Sequence, residues 1–131
     1  MLVSMPTSAT AARLFVYGTL KRGFANPWSR RLWAEAMFLG PATICGRLYD
    51  FGPYPALVET GRKDEVVHGE VAALRRPGLL QDLDAYEGPQ FARVLRPVRI
   101  EDGAALDAWV YVFRGPLGQA RLVAGGRWPV Q

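Results

Sequence analysis

The apolar run Leu14, Phe15, Val16 and Tyr17 predicts a short buried strand over residues 13–17, ended by Gly18 and Thr19. Asn26-Pro27 then reads as a helix start, with asparagine as cap and proline at the first helical position. Trp28, Leu32, Trp33 and Ala36 follow at helical spacing, and Pro41 blocks continuation. Residues 42–51 set Ala42, Ile44, Gly46 and Leu48 against more polar neighbours, the alternation of a strand. The "GPYP" tract of residues 52–55 is expected to be irregular. Residues 56–60 and 65–74 read as two strands joined by a polar turn. A second helix over residues 77–86 places Leu79, Leu80, Leu83 and Tyr86 on one face, and Gly88-Pro89 stops it. Residues 91–100 and 105–113 predict two strands joined by a hairpin turn at Glu101-Asp102-Gly103. The Gly-rich tail from Arg114 is expected to loop back over the body, ending at Trp128.

The order β-α-β-β-β-α-β-β is neither a doubly wound pattern nor a clean sandwich. It predicts an α+β fold, a small mixed and mostly antiparallel β-barrel flanked by two helices. A chain of 131 residues has the length of one domain, and half of it is hydrophobic, enough for a packed core without staples. Residues 1–12 lack a basic segment and a continuous apolar stretch, so they read as a disordered lead-in to a single domain over residues 13–131. Cys45 is the only cysteine, which excludes an intrachain disulfide and suits a reducing compartment. No segment is apolar for long enough to form a membrane-spanning helix. The expectation is a soluble, cytoplasmic protein with no membrane partner.

Charge changes this picture little. The net charge is +4, and Lys21 and Lys63 are the only lysines. A basic balance raises nucleic-acid binding, but the arginines are scattered. Only Arg93, Arg96 and Arg99 lie close enough for a stripe, and in a strand Arg96 faces away from the other two. Solvated strand edges and helix faces account for them better, and no nucleic-acid partner is expected.

Two places carry candidate chemistry. In "YGTLKRG", consecutive amides of Gly18, Thr19 and Leu20 at a strand end form a concave anion site in one reading, with Lys21 and Arg22 adding positive potential. In the other reading this is a strand-terminating turn with a solvated basic tip. The spacing fits neither a Walker loop nor a dinucleotide-binding fingerprint. In "LDAYEG", Glu87 stands at the carbonyl end of the second helix with Asp84 one turn back. Both neighbours favour the protonated carboxyl, as an acid/base group near neutral pH requires. The plain alternative is an exposed last-turn glutamate. His68 and Cys45 stand alone and make neither a metal site nor an activated nucleophile pair. Glu70 reads as structural or surface, and the four tryptophans as packing.

Taken in order over residues 13–113, "FVYGTLKRG", "GPYPALV", "VVHGEVAAL", "LDAYEG", "FARVLRPVRI" and "AWVYVF" resemble the gamma-glutamylcyclotransferase-like, or AIG2-like, family. The resemblance implies a small mixed barrel with flanking helices. It implies a substrate loop of Tyr17, Gly18, Thr19, Leu20, Lys21 and Arg22, and an acid/base Glu87. The implied reaction is intramolecular attack of the α-amine of a gamma-glutamyl substrate on its own γ-carbonyl, giving 5-oxoproline and a free amine or amino acid. The implied partner is that small molecule, with no metal or organic cofactor, in a monomer or homodimer. "PYP" is similar to the branch that acts on gamma-glutamylamines. Phe91 stands where family members often have tyrosine, and Tyr111 either faces the pocket or only packs. The competing readings are a non-catalytic carboxylate-binding protein using the same pocket and a basic adaptor needing a contiguous arginine face.

Overall fold

In β1 (Arg13–Val16), Phe15 faces one apolar cluster while Leu14 and Val16 face another. A strand covered on both sides reads as an unbroken apolar run, and β1 is such a strand. The computed structural model describes residues 12–129. After β1 come α1 (Pro27–Ala34), β2 (Ala36–Cys45), β3 (Arg47–Asp50), β4 (Pro55–Val58), β5 (Val66–Leu74), α2 (Leu79–Glu87), β6 (Phe91–Ile100), β7 (Ala105–Phe113) and β8 (Arg121–Val123).

Five strands close into a barrel in the order β1-β5-β2-β6-β7. Its pairings are antiparallel except β1 with β7, which meet in parallel at Leu14 and Trp109. The fold is the expected mixed, mostly antiparallel barrel flanked by two helices. Phe15, Ile44, Val67, Val71, Val98 and Val110 belong to one core cluster. Leu14, Val16, Leu32 of α1, Leu79 and Leu83 of α2 and Tyr111 belong to the other, between strands and helices.

Several boundaries differ from the expectation. Helix α1 ends at Ala34, and Ala36 is buried as the first residue of β2. Pro41 sits inside β2 beside a bulge between Phe38 and Gly40, a setting in which a strand does without an amide donor. The strand expected over residues 42–51 is two strands: at Gly46 the chain leaves the barrel for a separate three-stranded sheet, β4-β3-β8. A Cβ at Gly46 would lie 3.2 Å from the Val58 carbonyl oxygen, so the crossing runs close against β4. Pro55 of the "GPYP" tract opens β4.

The tail contributes β8, paired with β3, and returns over the body as expected. Trp128 is buried, stacks on Phe24 with ring centroids 5.6 Å apart, and donates its indole N–H to Asp50 at 3.0 Å. Residues 1–11 of the expected lead-in lie outside the described residues. Ala12 is buried, and its carbonyl accepts from the Leu74 amide at 2.8 Å.

Candidate active site

The end of β1 and the end of α2 open onto one cavity of about 640 Å³. Tyr17, Gly18, Thr19 and Leu20 line it from the first side and Glu87 from the second. Residues 53–55, residues 89–91 and Tyr111 complete the wall.

The loop after β1 is held by its carbonyls. The Lys21 amide donates to the Gly18 carbonyl at 3.0 Å, closing a turn. Asn26 Nδ2 donates to the Thr19 carbonyl at 2.8 Å, Trp33 Nε1 to the Leu20 carbonyl at 2.8 Å, and Ser29 Oγ to the Lys21 carbonyl at 2.8 Å. Asn26, Ser29 and Trp33 are spaced as i, i+3 and i+7, one face of α1 and its cap. Asn26 also caps the helix by accepting from the Ser29 amide at 2.8 Å. With four successive carbonyls tied, the amides of Gly18, Thr19 and Leu20 enter no turn or ladder hydrogen bond among the described residues. Uncommitted consecutive amides are the donors an anion site needs.

Gly18 serves proximity rather than an unusual turn. A Cβ there would lie 2.6 Å from Pro55 Cγ and 2.7 Å from Pro55 Cδ, so the Pro55 ring occupies the side-chain position. Tyr17 is buried; its hydroxyl donates to the Tyr111 carbonyl at 2.7 Å and accepts from the Leu57 amide at 3.2 Å. Burial and the Glu87 charge hold its phenol far above the ordinary range, so it stays protonated. The Thr19 hydroxyl is 3.0 Å from the Tyr86 hydroxyl, joining the loop to α2.

Lys21 and Arg22 do not join this group, which corrects the sequence expectation for both. The turn sends them to the other side. Lys21 Nζ donates to the Trp128 carbonyl. The Arg22 guanidinium lies 3.4 Å over the Phe38 ring, and its backbone amide donates to Glu70 at 2.9 Å.

Glu87 is the last residue of α2, and Gly88, at φ 90°, caps the helix by donating its amide to the Asp84 carbonyl at 3.2 Å. The Glu87 carboxyl is half-buried and accepts no hydrogen bond from the described residues. Burial, and then the negative charge of Asp84, push its pKa up to about 7. Asp84 is held in the opposite direction. Arg93 grips it with two bonds of 2.7 and 3.0 Å, and the Tyr111 hydroxyl donates to it at 2.7 Å. The Arg93 bonds, then the Tyr111 bond, lower its pKa. Two carboxylates one turn apart are thus driven apart in acidity, one fixed as an anion and one poised near neutrality.

The loop anchors Asn26, Ser29 and Trp33, and the wall residues Pro53, Tyr54 and Gln90, are not among the site residues the sequence singles out. The anchors' one-face spacing was the available signal. Tyr111 both lines the cavity and packs, and Phe91 meets Tyr54 edge-on at 6.1 Å in the wall. Among the described residues no three of His, Cys, Asp and Glu gather as metal ligands would. Of the three arginines of β6, Arg93 and Arg96 are paired with Asp84 and Glu59, and Arg99 donates to the Gly103 carbonyl. No helix among the described residues is long and apolar enough to cross a membrane.

The family model described as gamma-glutamyl cyclotransferase, AIG2-like, matches residues 14–130, and the chain belongs to this family. It is 33% identical over 120 residues to the gamma-glutamylcyclotransferase family protein YtfP of Shigella flexneri, covering 88% of this chain and 95% of that one. The solution structure of protein ytfP from Escherichia coli matches at a TM-score of 0.62 and 33% identity, over 89% of this chain and 96% of the other. An AIG2-like protein from Mus musculus matches at a TM-score of 0.70 over 92% of this chain and 96% of its own; at 24% identity this likeness shows the fold alone. Membership of the family suggests a cyclotransferase-like enzyme.

Proposed function

We propose that the chain is a gamma-glutamyl cyclotransferase in which Glu87 moves the proton and the loop amides hold the substrate. One observation carries this reading: an unpaired carboxyl poised near pH 7 lines the same cavity as three uncommitted amides. The α-carboxylate of a gamma-glutamyl group accepts from the amides of Gly18, Thr19 and Leu20. The α-ammonium sheds one proton to solvent, and its nitrogen then attacks the γ-carbonyl carbon. Glu87 as carboxylate takes a second proton from the attacking nitrogen. As carboxylic acid it returns that proton to the leaving nitrogen as the γ-carbon–nitrogen bond breaks. 5-Oxoproline and the free amine leave, and Glu87 ends as it began. Holding the folded substrate supplies the proximity that an intramolecular attack exploits, and the proton transfers are what remains for the side chain.

The lining also supports an amine as leaving group. Among the described residues it includes no arginine, lysine or histidine, and Pro53, Tyr54 and Phe91 give it a largely apolar wall. A second carboxylate, as in a gamma-glutamyl amino acid, would be desolvated there without a charged partner. The amides alone serve equally well in a non-catalytic carboxylate binder, for which ligand would raise the melting temperature without product. Such a binder has no use for a half-buried, near-neutral Glu87 that accepts no hydrogen bond from the described residues. The experiment is 5-oxoproline release by the purified chain from a panel of gamma-glutamyl amines and amino acids. Release from at least one member is expected; stabilisation without product across the panel supports the binder.

A further inference from the structure

The turn that presents its amides to one cavity sends Lys21 into a second, of about 310 Å³, roofed by the tail. His68 of β5, Arg127 and Trp128 line it with Lys21. From this arrangement we propose a second site, for a small oxyanion, held by Lys21, His68 and Arg127.

The roof is anchored at several points. The His68 amide donates to the Gly126 carbonyl at 2.8 Å. Gly126, at φ 68°, lies so close to β5 that a Cβ would stand 2.1 Å from the Val66 carbonyl oxygen. Trp128 is fixed by its stack on Phe24 and its bond to Asp50. The cavity is therefore walled by packed and hydrogen-bonded groups.

Its electrostatics favour an anion. Among the described residues Glu70 is the one carboxylate of the lining, and it is already engaged: it accepts the Arg22 amide and lies 3.7 Å from the Arg22 guanidinium. Among the described residues, ion pairs engage neither Lys21 nor Arg127. Burial, and then the Arg127 charge, lower the pKa of His68. Lys21 is lowered mainly by burial; Glu70 opposes this and Arg127 adds to it. Lys21 and Arg127 are crowded cations that gain from an anion between them, with the His68 imidazole as a further donor, and a guanidinium fork with an ammonium suits phosphate or carboxylate oxygens. The walls of Pro41, Trp128 and Pro129 limit the guest to a small one.

The test uses thermal unfolding of the full chain with sodium phosphate or sodium acetate, at fixed pH and with ionic strength balanced by sodium chloride. A saturable rise in melting temperature is expected with at least one of the two, and the stronger arm identifies a phosphate-type or a carboxylate guest. Arg127 is exposed, so Arg127→Gln spares the fold and is expected to weaken the apparent affinity at least tenfold. No rise with either salt overturns the proposal. An equal rise in Arg127→Gln also overturns it, because an anion on the loop amides of the first cavity, or general exclusion of the salt from the surface, then explains the effect. None of these outcomes depends on turnover, so the cyclotransferase reading stands or falls separately.

Discussion

Gly18 lies so close to Pro55 that a methyl group on its α-carbon would stand 2.6 Å from Pro55 Cγ. This contact joins the loop after β1 to the start of β4 and lets both line one cavity. Gly18→Ala must displace the ring or the turn. Overpacking of this kind costs about 1–3 kcal/mol. The expected result in denaturant titration is a loss in that range, with a higher KM for substrate because the amides move. An alanine variant with wild-type stability and KM would show that the contact yields freely.

The carbonyl anchors give a second test. Ser29 is buried, and its hydroxyl donates to the Lys21 carbonyl. Ser29→Ala leaves that carbonyl only the longer bond from the Phe24 amide, at 3.4 Å, and removing the shorter one costs about 1 kcal/mol. Asn26→Ala removes both the Thr19 anchor and the helix cap, and about 1 kcal/mol is expected from the cap alone. In both variants, isothermal titration with a carboxylate ligand is expected to show weaker binding although neither side chain lines the cavity. Unchanged binding would mean that the amides hold their positions without the anchors.

Much of this arrangement was legible in the chain and part was not. Leu14 to Tyr17, the hairpin of β6 and β7, and the placing of Glu87 at a helix end beside Asp84 followed from local pattern and turn chemistry. The side of the turn to which Lys21 points did not, because neighbours along a loop carry no periodicity that assigns a face. Strand β8 is three residues long and exists through its pairing with the distant β3. Gly46 interrupts no alternation, so the passage from barrel to second sheet left no mark. Asn26, Ser29 and Trp33 read as a cap and a packed face, and their role as anchors needs the loop carbonyls in place.

Acidity links the site to stability. Glu87 has an ordinary value of 4.5 and is raised to about 7 by burial and Asp84. Between those values the folded chain keeps a proton that the unfolded chain has released, so stability falls as pH rises through this window. The loss amounts to about 3 kcal/mol at most above pH 7. Glu87→Gln removes it. The variant is expected to melt several degrees above the wild type at about pH 8 and close to it at about pH 4.5. Equal melting at both pH values would mean that the carboxylate is well solvated.

Substrate choice follows from the uncharged wall. A gamma-glutamyl amine with an apolar leaving group is expected to exceed the matching gamma-glutamyl amino acid in kcat/KM. The carboxylate of the latter, without a charged partner there, costs about 1–3 kcal/mol, roughly 5- to 150-fold in rate. Equal values in side-by-side assays would place the leaving group outside the cavity.

Proton transfer by Glu87 is tested by 5-oxoproline release from wild type and Glu87→Gln at saturating substrate, with ligand binding measured on both. Positioned proton transfer is worth about 10²–10⁴-fold. A loss of at least that size, with binding largely retained, is the predicted result. Turnover by Glu87→Gln at the wild-type rate would contradict it.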